Sequence, residues 1–217
     1  KGIGFTVKKL QSMGVSEDSI AKYCTGLFTG LNTQIFNAPI DLYIEDYLYH
    51  TYPQLHAYQF LSQNRLIQEA IKAVTGKNVV EISPKGILSA SKIFSMVYAL
   101  QFKDLYGLDY IKDFEASMLE VKQARKFYDD FLARKDSRKP GDEYDLVQEW
   151  ADELKVNHTF ELVFENEFRE RRTNIDTILS SIEKDPFDLQ SKDPHKERML
   201  KKFMESEQSI GTNLSVV

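Results

Sequence analysis

Hydrophobic positions along this chain recur mostly at three- and four-residue intervals, the spacing of one helix face. Ser16 precedes a run in which Ile20, Tyr23, Cys24, Leu27 and Phe28 form an apolar stripe, which predicts a helix start and its buried side. Gly26 and Gly30 share a face there, a spacing that points to close helix packing or a loosened helix end. Asn37-Ala38-Pro39 reads as a second start, with Asn37 as the cap and Pro39 in the first turn, and the helix runs to about Tyr52 ahead of Pro53. A third helix is expected from about Gln54 to Thr75, closed by Gly76. Val79-Val80-Glu81-Ile82 reads as a short extended stretch, the one minor exception to an all-α multi-helix bundle.

Pro84 to Tyr106 is the most apolar segment. Ile87, Leu88, Ile93, Phe94, Met96, Val97, Ala99, Leu100 and Phe102 leave little of its circumference polar, as in a helix at the centre of a bundle, and Gly107 supplies the cap. Ser117 and Glu120 make a capping box for the next helix, whose face is Val121, Ala124, Phe127, Tyr128, Phe131 and Leu132. The clearest loop, 136–142, divides a larger helical bundle over 1–135 from a smaller C-terminal helical region over 142–217 packed on it, unless the two form one domain. Leu146, Val147, Trp150, Ala151 and Leu154 line a helix in that region. From Phe160 to Phe168 the pattern fits either period, and further helices are expected over 174–184 and 194–207.

Composition narrows the function classes. The 217 residues hold 28 basic and 33 acidic side chains, a net charge of −5, which argues against broad electrostatic binding to nucleic acid. The basic-looking segment at 169–172 is cancelled by Glu165, Glu167 and Glu170. No apolar run is long enough to span a bilayer, and no signal peptide opens the chain. The single cysteine, Cys24, excludes an internal disulfide and reads as a buried thiol. The compartment stays open, the cytoplasm slightly favoured. Lys1 is not an initiator methionine and Val216-Val217 is an apolar end, so the chain reads as an ordered piece of a longer protein.

The densest polar constellation is Asp41, Glu45, Asp46 and His50, with His56 beyond Pro53. Asp41 and Glu45 share one helix face, and Asp46 and His50 a neighbouring one. Paired carboxylates, or a carboxylate beside an imidazole, suit a divalent metal or proton transfer; the alternative is a solvated helix face. Tyr47, Tyr49, Tyr52 and Tyr58 crowd the two histidines, as a polar-aromatic pocket or a helix contact. His158 and His195 lie in polar surroundings and read as surface residues. There is no His-Glu-x-x-His, phosphate loop or nucleophile elbow.

The stretch from Gly30 through Asn37-Ala38-Pro39-Ile40-Asp41-Leu42-Tyr43-Ile44-Glu45-Asp46 resembles a segment of bacterial predicted zinc-peptidase-like proteins. Tyr58-Gln59-Phe60-Leu61-Ser62 and Ala99-Leu100-Gln101-Phe102-Lys103-Asp104-Leu105-Tyr106-Gly107 extend the likeness over the first half of the chain. The resemblance implies a helical portion of a zinc-dependent metallopeptidase, a hydrolase acting on a peptide or protein. In such proteins a His-Glu-x-x-His helix precedes this region, a later carboxylate is the third zinc ligand, and another one turn on orients a ligand histidine. Asp41 then maps to the ligand and Glu45 to the supporting acid, or the reverse; the two-histidine helix is not in this chain. The competing reading is a non-catalytic helical module that binds another protein.

Overall fold

The structure, a computed structural model, describes residues 2–170. The helices expected over 174–184 and 194–207, and His195, lie outside the described residues. Two compact units follow one another, 1–161 and 162–217. The described part of the second holds a helical segment, 165–170, with Arg169 paired to Glu165 one turn back.

The first unit is an all-α bundle: α1 (Ile3–Ser12), α2 (Glu17–Thr51), α3 (His56–Thr75), α4 (Lys77–Ile82), α5 (Lys85–Tyr106), α6 (Met118–Arg134) and α7 (Asp142–Glu153). Among the described residues there is no strand. Helix α5 packs against α2, α3 and α6, and α7 packs against α2 and α6. Burial explains the central place of α5, since Phe94, Met96, Val97, Ala99 and Phe102 are all fully enclosed. Phe127 of α6 stacks on Trp150 of α7 with ring centroids 4.7 Å apart, and Tyr43 of α2 meets Phe131 of α6 edge-on at 5.0 Å. The α7 segment, expected to begin the smaller C-terminal region, thus has its packing partners within the first unit.

Several local expectations need correction. The helix start expected at Asn37 does not exist, because α2 continues unbroken from its Ser16 cap through Pro39 to Thr51. An interior proline forfeits one ladder bond and costs about 3 kcal/mol. Here Ile35, Ala38, Pro39 and Leu42 are all buried, and packing of that face against the bundle offsets the loss. The extended stretch at 79–82 is the end of the short helix α4. Its neighbour α1 has no counterpart among the sequence expectations, although Ile3, Val7 and Leu10 stand at helical spacing. It docks on α4 through Thr6 Oγ1, which donates to the Ile82 carbonyl at 2.7 Å, and the Lys9–Glu81 ion pair at 2.6 Å.

The early stripe of α2 is also less enclosed than its pattern implies. Only Ile20 is buried, while Cys24 is half-buried and Phe28 exposed. Nothing approaches the Gly26 or Gly30 position closely, so those glycines serve no tight helix contact. The end signals fare better. Gly107 closes α5 at φ 79°, a conformation costly for any residue with a Cβ, and the Ser117–Glu120 capping box is formed in both directions.

Candidate functional site: two carboxylates in one cavity

Asp41 and Glu45 sit on the face of α2 that looks toward α3 and α5. Both line a cavity of about 230 Å³, together with Gln34, Gln63, Leu66, Ile67, Ala70, Ser95, Tyr98 and Gln101. The helix periods bring them together: Gln34, Asp41 and Glu45 fall on one stripe of α2, and Ser95, Tyr98 and Gln101 recur every three residues on α5.

Each carboxylate is held differently. Tyr98 donates its hydroxyl to Asp41 Oδ2 at 3.0 Å. Glu45 Oε2 accepts from Gln59 Nε2 at 2.5 Å and from Gln63 Nε2 at 2.6 Å. Gln59 Nε2 also donates to the Glu45 carbonyl at 2.8 Å, while its Oε1 accepts the Tyr106 hydroxyl at 2.8 Å. One carboxylate therefore ties α2 to α3 and, through Gln59, to α5. Gln101, almost fully enclosed, fixes the register of α5 on α2 by donating to the Leu42 carbonyl at 2.7 Å.

The electrostatics follow from this enclosure. Burial pushes the Asp41 carboxyl above the usual range; the Tyr98 hydrogen bond opposes that and the Glu45 charge adds to it. Tyr98 is raised by burial and by Asp41, and Tyr106 is pushed up to about 12 by burial, Glu45 and Tyr49. Among the described residues no lysine or arginine lines this cavity, and neither carboxylate belongs to an ion pair. Burial of Asp41 without a cation therefore carries a desolvation cost that the Tyr98 hydrogen bond offsets only in part.

The other sequence candidates lie elsewhere. Asp46 points to the opposite side of α2, where it pairs with Lys135 Nζ at 2.9 Å. His50 is exposed and donates through Nδ1 to the Asp46 carbonyl at 2.8 Å, 3.8 Å from the Asp46 carboxylate. These two border a separate open hollow with Tyr43, Tyr47, Lys135 and Arg138. His56 stacks on Tyr49 at 4.2 Å and donates through Nε2 to the Tyr49 carbonyl at 2.6 Å, which closes the turn between α2 and α3. Tyr47 meets Tyr52 edge-on and Tyr58 is turned to solvent, so the four tyrosines do not form one pocket. His158 is exposed, as its surroundings predict.

Sequence patterning missed the polar partners of the cavity. Gln59 and Gln63 are buried yet polar, so hydropathy alone turns them outward. Their only signal was the i, i+4 spacing on the same face as Ile67. As a metal site the cavity is incomplete. Among the described residues no three histidine, cysteine, aspartate or glutamate side chains gather to hold an ion. Asp41 and Glu45 could supply at most two of the four ligands zinc takes. No protein-family model, curated protein or solved structure matches this chain.

Proposed function

We propose that this chain is the helical portion of a zinc-dependent peptidase-like protein, in which Asp41 supplies a carboxylate ligand and α2, α3 and α5 form the cleft wall. The observation that carries the reading is the pair of carboxylates facing one cavity that, among the described residues, no basic side chain lines. A cation there would offset the desolvation cost that burial imposes on Asp41. Asp41 suits the ligand role better than Glu45, because Tyr98 occupies only one of its oxygens. Glu45 is more firmly held, with two amides on one oxygen. Outer partners of this kind fix the geometry of metal-binding carboxylates. The remaining ligands would come from outside the described residues.

Zinc, when bound, would supply Lewis acidity and an activated water. This chain would orient one carboxylate through Tyr98, hold a second through Gln59 and Gln63, and enclose the substrate against Leu66, Ile67 and Ala70. The test is zinc titration by calorimetry on the full-length protein. An Asp41→Ala, Glu45→Ala double variant should bind zinc at least tenfold more weakly, and undiminished affinity would overturn the reading.

A second reading, a non-catalytic module that docks another protein, is favoured by the outer face of α3, where Tyr58 and Leu61 are 73% and 63% exposed. Tyr58→Glu with Leu61→Glu, two positions outside the cavity lining, should then abolish co-purification of a partner and spare zinc affinity; a wild-type chain that binds no partner counts against it.

A further inference from the structure

The cavity beside Asp41 asks for more than a charge. Its α3 wall is aliphatic, made by Leu66, Ile67 and Ala70. Its α2 and α5 walls carry hydrogen-bonding atoms that the fold leaves unsatisfied. Gln34 Oε1 is fully enclosed and has no partner among the described residues. Ser95 is 5% exposed, lines the same space, and its hydroxyl makes no hydrogen bond among the described residues. Buried polar atoms are nearly always paired, so the orphaned Gln34 Oε1 beside a cavity that the Ser95 hydroxyl also lines points to a missing ligand. Both can accept hydrogen bonds, as can the carboxylate of Glu45. Among the described residues no lysine or arginine lines the space to satisfy them.

We propose that this cavity binds a primary ammonium on an aliphatic stem, the nitrogen held by Glu45, Gln34 Oε1 and Ser95 and the stem laid against Leu66, Ile67 and Ala70. An ammonium brings three N–H donors and one positive charge and no acceptor, which matches the unsatisfied acceptors and the unbalanced carboxylate. A guanidinium presents a wider planar fork that suits bidentate carboxylate pairing. In this cavity Glu45 already gives one oxygen to Gln59 and Gln63. The volume, about 230 Å³, is at the small end for ligand sites, so the group fits one residue of a peptide and not a longer segment. The inference rests on the preceding reading only in treating this cavity as the cleft a substrate enters; the ammonium contact needs no metal. Two sources share this chemistry, a lysine side chain and the free amino end of a peptide.

The experiment is calorimetric titration of the intact chain, in chelator, with n-butylammonium and with n-butanol. The ammonium should bind at least tenfold more tightly than the alcohol. Glu45→Gln, whose amide oxygen can still accept from Gln59 and Gln63, should erase that preference while its thermal midpoint shows the fold retained. Ser95→Ala, an independent variant away from the glutamine clamp, should weaken the ammonium by about threefold and leave the alcohol unchanged. Leucine amide and Nα-acetyl-lysine methylamide then separate the sources. Tighter binding of the first assigns the site to an amino terminus, tighter binding of the second to a lysine side chain. Equal affinity for ammonium and alcohol, or undiminished preference in Glu45→Gln, overturns the proposal. Because zinc affinity is measured separately, loss of one result leaves the other standing.

Discussion

Gln59 offers the sharpest test of how the site is built. Its side chain makes three contacts: to Glu45 Oε2, to the Glu45 carbonyl, and from the Tyr106 hydroxyl. Replacement by leucine keeps the size and removes all three. A hydrogen bond to a charged group contributes about 1.5–3 kcal/mol, and a neutral one about 1 kcal/mol. The Glu45 carbonyl lies within α2 and keeps its helical bond, so its loss adds little. Tyr106 is only partly buried and recovers water. Greater burial of leucine returns about 1 kcal/mol. The net expectation is a loss of about 1–2 kcal/mol. For a unit of this size that lowers the thermal midpoint by about 2–8 °C. Urea unfolding followed by circular dichroism would read it directly. Repeating the substitution in a Glu45→Gln background isolates the charge, since the clamp then holds a neutral amide and the penalty should fall by about half. A loss below about 0.5 kcal/mol in the parent, or an equal loss in both backgrounds, would show that the glutamine clamp does not stabilise an ionised Glu45.

Two further changes probe the frame around the site. Trp150 stacks on Phe127 but its buried Nε1–H has no partner among the described residues. Trp150→Ala should cost about 3–5 kcal/mol, whereas Trp150→Phe keeps an aromatic ring, removes the unsatisfied donor and should cost less than about 1 kcal/mol; similar losses in denaturant unfolding would contradict this. Asp109 accepts from Lys103 Nζ at 2.8 Å and from the Ile111 N–H at 3.0 Å, and these contacts hold its carboxyl below the usual range. Its stabilisation is therefore fully present above the unfolded value of about 3.9 and lost as pH falls through the lower folded value. An Asp109→Asn variant should be less stable than the parent by up to about 1 kcal/mol at pH 7, the two converging near pH 2; a gap that persists in acid would be inconsistent with a charge effect.

How far the fold could be read from sequence depends on what each residue signals. The encirclement of α5 was legible because Phe94 to Phe102 is apolar on nearly every side, and both Gly107 and Ser117 are local signals that need no partner. Pro39 misled because the first turn of a helix and the interior of a well-packed one can both hold a proline; only tertiary burial decides between them. Asp41 and Glu45 were legible as a pair, since a helical turn puts them together. Their partners Tyr98 and Gln63 were not, because contacts 57 and 18 residues apart in sequence depend on how three helices pack. Asp46 and His50 were legible by the same short-range spacing as a pair on a neighbouring face, and there they border a separate hollow.

The central position of α5 constrains where variation can accumulate. Its fully enclosed residues admit only exchanges that conserve volume, and any enlargement would push simultaneously on three neighbouring helices. The surface loop at 136–141 buries none of its own residues and meets the core only where Arg138 lies over the Tyr43 ring at 4.4 Å, so lengthening it beyond Arg138 disturbs little. Descendants of this chain should therefore diverge in the spacing between α6 and α7 long before they diverge in the girth of α5.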